Sequence, residues 1–501
     1  MASEAIGSLG GGLSVTEQRG RWVLAATVLG SSLALIDSTV VNIALPAIGT
    51  DLHAGIAGLT WTVNAYTLTL AALILVGGSL GDRLGRRRVF MSGVVVFGVA
   101  SLLCALAPTI EALVIARAVQ GVGGALLTPG ALAIIQATFR PEDRSRAIGA
   151  WTGLAGVSAA VGPLLGGWLL GVGSWRWIFL INLPVVVVVL GIATRHVPES
   201  KDPRASGHTD YPGMALVVGG LGSLTYGLAA WPEQGPSSPA VLVGLVVGVS
   251  ALVGFVVRER VASDPMLPLG IFSARLFSIT NLVTFLVYAA LGGLFFWLVV
   301  TLQVVAGFGP LEAGMSLIPV TLVMLAFSAQ AGALGERLGP RIPMAAGPMV
   351  AAVGVAALSR VGSGATYLGD VLGPVTLFAI GLTLTVTPLT ATALNAVPQQ
   401  QAGLASGVNN AVARTGGLLL VALLPVLAGL DAHGFSDAST LEPAFRTAMT
   451  ICATLLAAGG LVSAAFIRSP RRPEPTPEPE LSCPRHHCSV DAPPIGSTSR
   501  G

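Results

Sequence analysis

Charge is scarce in this chain. Charged side chains make up 10% of its 501 residues, against roughly 25% in an ordinary soluble domain. So few charges cannot coat a water-soluble surface of this size, which excludes a soluble globular protein. Aromatics are also sparse at 6%, so the 53% apolar content is mostly Leu, Val, Ala and Ile. Cysteine is limited to Cys104, Cys452, Cys483 and Cys488. Two fall inside apolar runs and two in the tail, which is not a disulfide framework. Histidines lie in loops or in the tail, and no nucleophile–base set or nucleotide loop is visible. No enzyme is therefore expected, and no cofactor. The first apolar run, from Trp22, is too long for the h-region of a signal peptide and reads as a first span.

What the chain has in quantity is glycine, 64 residues, and long apolar runs. A helix of about 20 apolar residues crosses the hydrocarbon core. That ruler places spans at 22–45, 61–81, 88–108, 111–135, 146–171, 176–194, 211–231, 239–257, 276–302, 311–335, 341–359, 366–392, 403–430 and 445–467. The expected fold is an all-α polytopic membrane protein with fourteen crossings. A barrel would alternate apolar and polar residues, and runs such as 241–257 do not alternate.

Basic residues set the orientation. With the N-terminus inside, the inside connections carry twenty Lys and Arg residues, from Arg19 and Arg21 to Arg468, Arg471 and Arg472. The outside connections hold only Arg176, Arg360 and Arg446. This is a strong positive-inside split, with both termini expected in the cytoplasm of a cell-membrane protein. It accounts for the net charge of +3 without nucleic acid.

The chain also repeats itself. Gly78, Gly81, Asp82, Arg83 and Gly85 follow the second span, and Gly332, Gly335, Glu336, Arg337 and Gly339 follow the tenth in the same register. Thr128-Pro129 in the first half has a counterpart in Thr387-Pro388 in the second. Two parallel six-helix repeats are expected: a cytoplasmic N-terminus (1–20), a first bundle (21–195), two inserted helices (211–257), a second bundle (276–468) and a disordered cytoplasmic tail (469–501). The tail holds CPRHHC at 483–488. Its spacing matches no structural zinc pattern, so no metal site is expected.

Charged and polar groups inside spans are expensive and mark function by default. Asp37, in LIDSTVVNIALP (35–46), is placed to carry a proton, to meet a cationic substrate, or to hold helices together as a paired acid. Asn42 adds polar surface to the same helix, and Pro46 marks its outer end. Arg117 and Gln120, with Gly124, share one face of the fourth span. Arg117 either serves function or snorkels, and Asp37 is one imaginable partner. Gly162, Pro163, Gly166 and Gly167 interrupt the fifth span, as a rocking hinge or a static packing seam. Asp82 with Arg83, Arg86 and Arg87 occupies a tight inside turn whose acid and glycines exceed what an orientation anchor needs. They suggest a latch made in one conformation and broken in the other. Second-half candidates are Glu336 and Arg337, Asp370 at an outer mouth, and Arg414, which opens the thirteenth span and is placed to snorkel inward.

These motifs resemble, in order, the fourteen-span drug:proton antiporter branch of the major facilitator superfamily over about residues 20–468. The carriers are GGSLGDRLGRRR (77–88), ARAVQGVGGA (116–125), GPLLGGW (162–168), LIDSTVVNIALP (35–46) and WRWIFLINLP (175–184). Ser158 stands where the antiporter motif usually has Gly, and Pro340 departs from the loop motif in the second half. The resemblance implies two bundles rocking about a central cavity. It further implies Asp82 and its arginines as latch, Arg117 as proton coupler, Asp37 in protonation or substrate contact, and Gly162 and its neighbours at the interface of the antiport cycle. The expected partners are the bilayer, protons and small lipophilic molecules, with cations favoured over anions by the single membrane acid. The expected activity is efflux of drugs or metabolites driven by the proton gradient. A dedicated exporter of one compound and a proton-coupled importer are the alternatives. Oligomeric state has no signature here, and a monomer is the simplest expectation.

Overall fold

A computed structural model describes residues 12–201, 210–262, 265, 267–397, 402–430 and 437–467. Helices dominate it. In chain order they are α1 (Gln18–Asp51), α2 (Ile56–Leu84), α3 (Arg86–Ala105), α4 (Ile110–Thr138), α5 (Pro141–Val172), α6 (Trp177–Leu180), α7 (Asn182–His196), α8 (Tyr211–Gln234) and α9 (Pro239–Val261). After them come α10 (Arg275–Val304), α11 (Pro310–Met315), α12 (Ile318–Leu338), α13 (Arg341–Leu358), α14 (Leu372–Asn395), α15 (Ala402–Leu427) and α16 (Ala438–Phe466). No sheet forms among the described residues, where Leu13 and Phe139 make one isolated bridge. Thirteen spans among the described residues are long and apolar enough to cross a membrane. α5, at 32 residues, is a further long helix outside that set. The protein is an all-α, multi-pass membrane protein of major-facilitator type.

Local chemistry explains the element edges. α1 runs through Pro46 to Asp51, which corrects the expectation that Pro46 ends the span. A membrane helix tolerates proline where neighbouring groups take up the freed backbone, and α1 continues past it without a break. The sixth span is split into α6 and α7 at Ile181, because Pro184 has no N–H to donate one turn back. Pro319 stands in the same relation to the break between α11 and α12. Thr109 caps α4 by accepting from the Ala112 N–H at 3.3 Å.

The helices alternate in direction, so each connection falls on one of two sides. On the side where α1 begins and α16 ends (the terminal side), Arg19 reaches the His196 carbonyl at 3.3 Å and Arg140 pairs with Glu17 at 3.3 Å. On the distal side Asp51 Oδ2 accepts from Arg176 at 2.6 Å and from Trp175 at 2.9 Å, and Arg176 also reaches the Ala107 carbonyl. These ties join the same connections that the charge pattern groups together.

Packing runs in a similar order through both halves. α4 lies against α2 and α3, and α14 against α12 and α13. α1 packs on α5 and α7, and α10 packs on α15 and α16. A Cβ on Gly78 would sit 3.7 Å from Pro129, and one on Gly335 would sit 3.3 Å from Pro388. The proline contacts thus correspond, with the glycine one turn further along in the second half. α8 and α9 pack on each other, and α8 also touches α2 and α15. α9 exposes Val243, Val246, Val253 and Val257, an apolar surface that lipid solvates. The halves meet toward the distal side, where Gln303 of α10 donates to the Ile43 carbonyl at 3.1 Å.

Candidate functional site

The site begins with small residues on α4. A Cβ on Gly121 would overlap the Tyr66 carbonyl and the Thr69 hydroxyl, so only glycine lets α2 come this close. Thr69 Oγ1 then donates across to the Ala118 carbonyl at 2.8 Å. This approach brings two groups of α2 to Arg117. The Thr62 carbonyl accepts from Arg117 Nε at 3.1 Å, and the Tyr66 ring lies 4.4 Å under the guanidinium. Phe179 of α6 offers a second ring at 5.8 Å.

Arg117 and Asp37 form an ion pair, with Arg117 Nη1 donating to Asp37 Oδ2. Both side chains are 1% exposed. Arg117 Nη1 also donates to Gln120 Oε1 at 2.7 Å, and Gln120 Nε2 donates to Asp37 Oδ1 at 2.8 Å. The ion pair and its amide bridge close a ring across α1 and α4. Two residues missed in the sequence complete it. Asn182 donates to Asp37 Oδ1 at 3.4 Å and to Ser101 Oγ at 2.9 Å. Ser101 accepts from Gln120 at 3.3 Å and donates to the Phe179 carbonyl at 3.0 Å. Asn182 occupies the α6–α7 break, which is why its side chain turns inward. Its signal was an amide inside the apolar run WIFLINLP, and Ser101 was an isolated hydroxyl in VASLLCAL.

A buried pair of this kind stands only because nearly every polar atom finds a partner. The Asp37 carboxylate is spent on Arg117, Gln120 and Asn182, which leaves no oxygen free for a substrate cation. A proton arriving on Asp37 would remove one charge and strand the other, so the four helices tied here have a reason to rearrange. Asn42 does not join the ring. It is half-buried on another face of α1, with an Oδ1 that has no hydrogen-bond partner.

The loop between α2 and α3 turns on Gly85, whose φ is +120°, a conformation natural only to glycine. Asp82 pairs with Arg86 at 2.8 Å, and Arg86 reaches the Ala133 carbonyl at 3.4 Å. A residue outside the expected set clasps the turn. Glu199 accepts from the Arg87 N–H at 3.1 Å and lies 3.6 Å from Arg88, while Arg86 N donates to the Ser200 carbonyl at 2.9 Å. Glu199 was a lone acid in VPESK after the sixth span. Arg87 Nη1 donates to the Val197 carbonyl at 3.1 Å. Arg83 lies half-buried near the end of α2, and Gly78 and Gly81 on the same helix face α4 and Arg86. These partners of Asp82, Arg86 and Arg87 all lie in the first half of the chain.

On α5, a Cβ on Gly162 would overlap Thr39 Oγ1, and one on Gly166 would meet Val40 at 3.0 Å. Gly167 turns to the other half, where a Cβ would lie 2.7 Å from Leu311 Cα and 2.9 Å from the Pro310 carbonyl oxygen. The motif therefore seats α5 on α1 and on α11. Pro163 lies within α5, with its side chain outside the described residues.

In the second half, Glu336 falls in α12 with its side chain outside the described residues, and Arg337 is exposed beside it. Asp370 is exposed and local in its bonding: it accepts from Thr366 N at 2.8 Å and Thr366 Oγ1 at 3.1 Å. Arg414 differs from expectation. It does not open α15 but sits near the middle of Ala402–Leu427, half-buried. Helix α15 starts at the terminal side, and a span of this length puts its centre beyond snorkelling reach. Cys104 and Cys452 are buried free thiols, and CPRHHC (483–488) lies outside the described residues. No His, Cys, Asp and Glu cluster suited to a metal occurs among the described residues.

The Major Facilitator Superfamily profile matches residues 27–421. The chain is 36% identical over 416 residues to the tetracenomycin C resistance and export protein of Streptomyces glaucescens, covering 82% of this chain and 76% of that protein. It is 36% identical over 431 residues to a puromycin resistance protein of Streptomyces alboniger, covering 84% and 85%. Among solved structures, an auto-inhibited POT family peptide transporter superposes with a TM-score of 0.64 at 17% identity, over 90% of this chain and 99% of that one. That likeness concerns the fold alone.

Proposed function

The chain belongs to the Major Facilitator Superfamily, a family of membrane transporters rather than enzymes, and we propose that it is a proton-coupled exporter of lipophilic small molecules. The observation that carries this reading is the sealed Asp37–Arg117–Gln120–Asn182 ring, which joins α1, α4 and α7 through one titratable carboxylate. In this cycle a proton reaches Asp37 from the distal side and breaks the ion pair. Arg117, still charged, draws on the Thr62 carbonyl and Gln120, and α1 shifts against α4 and α5. The bound compound leaves on the distal side. Loss of the proton to the terminal side restores the ring and resets the pump.

The twenty-to-three split of basic residues supports a cytoplasmic terminal side. We read α5 as the fourteenth span, and the chain as bundles 21–195 and 276–468 with 211–257 inserted between them. Asp82, Arg83, Arg86 and Arg87, with Gly78, Gly81 and Gly85, act as the latch on the cytoplasmic side. Gly162, Pro163, Gly166 and Gly167 form the seam on which the bundles rock.

The names of the two relatives, each attached to a single compound, favour a second reading: a dedicated exporter of one metabolite or antibiotic. A drug-susceptibility panel in an efflux-deficient host separates the two. Protection against many unrelated compounds marks a broad pump, and protection against one marks a dedicated exporter. Asp37→Asn and Arg117→Ala serve as controls. A D37N protein that exports with undiminished pH dependence would refute the proton-coupling role.

A further inference from the structure

Three residues on α15 define a stripe. Asn410, Arg414 and Leu418 are spaced by four, so they follow one another along one side of the helix. Their exposure falls along it. Asn410 is exposed, Arg414 is half-buried, and Leu418 is fully buried against Leu68 of α2 and Leu221 of α8. Exposure along this side of α15 therefore falls away from the terminal side, and Arg414 stands one turn before the buried Leu418. Arg414 is about 18 Å along the helix from Ala402, close to mid-depth.

The direction of this stripe is fixed by the opposite side of α15. Asn409 donates to Thr284 Oγ1 at 2.8 Å and to Asn281 Oδ1 at 3.2 Å on α10. A Cβ on Gly416 would lie 2.7 Å from the Phe285 carbonyl oxygen, so the two backbones are in close contact there. With α15 held in this rotation, the side that carries Arg414 and Leu418 faces α2, where Leu418 packs on Leu68.

Charge is not balanced at this point. Among the described residues Arg414 makes no hydrogen bond and no ion pair, and its guanidinium stays charged in any protein setting. The acid in this region, Asp37, is committed to Arg117. Among second-half acids whose side chains are described, Asp370 and the helix-starting Glu312 lie at distal ends. An isolated cation at mid-depth is costly unless something pairs with it. The walls supplied by Leu68 and Leu418 are apolar.

We infer that Arg414 recognises the charge of the transported compound, and that this compound is an organic anion, a carboxylate or phenolate carried on an apolar body. This rests on the efflux reading above and replaces the cationic preference expected from Asp37 alone. The guanidinium holds a carboxylate bidentately. Substrate and proton then occupy separate sites, on α15 and on α1.

The test has two arms. In the first, Asn410→Cys is made in a C483S/C488S background, and the purified full chain is reacted in detergent with anionic sulfonatoethyl and cationic trimethylammonioethyl methanethiosulfonate. With Arg414 present, the anionic-to-cationic rate ratio should exceed that of the R414Q version by on the order of tenfold. R414K should retain most of the ratio, which controls for misfolding. In the second arm, cells are challenged with nalidixate, tetraphenylphosphonium and ethidium. R414Q should lose protection against nalidixate and spare any protection against the two cations. An unchanged labelling ratio, or equal loss for nalidixate and tetraphenylphosphonium, overturns the assignment. If the ratio falls but no compound is exported, the efflux reading fails and the anion site stands.

Discussion

Replacing Arg117 with methionine gives the sharpest test of the buried ring. The change keeps an unbranched side chain of similar length but leaves the Asp37 carboxylate 1% exposed without its cation. Oδ2 loses its donor, and Oδ1 keeps Gln120 at 2.8 Å and Asn182 at 3.4 Å. Removing one partner of a buried pair costs about 3–5 kcal/mol. The two surviving amide donors place R117M at the lower end, about 3 kcal/mol. Neutralising both partners in D37N/R117M removes the stranded charge, and such replacements are neutral to within about 1 kcal/mol or stabilising. The double variant should therefore be more stable than R117M by about 2 kcal/mol, whereas independent sites would make it the less stable of the two. Apparent melting of the purified protein in detergent reads this directly. R117M should melt on the order of 5 °C below the parent, and D37N/R117M should recover most of the loss. Both should be inactive in export. Parent-like melting of R117M, or a double variant less stable than R117M, would show that the pair does not hold these helices.

Three other outcomes follow from geometry. Gly167→Ala places a Cβ 2.7 Å from Leu311 Cα; backbone cannot yield as a side chain can, so export should fall while expression holds, and normal export would show that this distal seam is loose. Gly85→Ala meets both a φ of +120° and the Glu199 carboxylate at 2.6 Å. Strain of this kind costs about 1–3 kcal/mol, and adding E199A should recover only the steric part in a melting assay. Asn182→Ala removes bonds of 2.9 Å to Ser101 and 3.4 Å to Asp37, worth about 1 kcal/mol. It should displace the pH profile of export with little change in melting, and an unmoved profile would make Asn182 a packing residue only.

Much of the architecture was legible because lipid imposes a simple rule. A chain that must bury its backbone polarity within each span writes its helices as apolar runs of fixed length. Every expected span coincides with a helix or a broken pair. The edges were harder. α1 passes Pro46 because a proline in lipid can be accommodated, whereas Pro184 and Pro319 interrupt, and composition does not distinguish the cases. The site was legible as residues but not as contacts. Asp37 and Arg117 stood out as charges in lipid, yet their pairing spans 80 positions. Asn182 and Glu199 were hidden by ordinary company, an amide among aromatics and an acid among basic residues. Their roles arise from a helix break and a turn that only tertiary packing brings beside Asp37 and Gly85.

Arg117 and Arg414 show where such reading ends. Each is an arginine deep in a glycine-bearing helix, and each could be called a snorkelling residue from sequence. The structure separates them by what surrounds the charge. Arg117 has a carboxylate, an amide, a carbonyl and an aromatic face, so its charge is spent inside the protein. Arg414 is half-buried with no counter-charge among the described residues, so its charge remains available. Whether an ion in a membrane stabilises a fold or recruits a ligand depends on its counter-ion, and a counter-ion is a property of packing. The buried acid is sealed by its partners and the available charge is positive. In the proposed efflux cycle, competition between proton and substrate therefore has to act through the arrangement of α1, α4 and α15 rather than through a shared carboxylate.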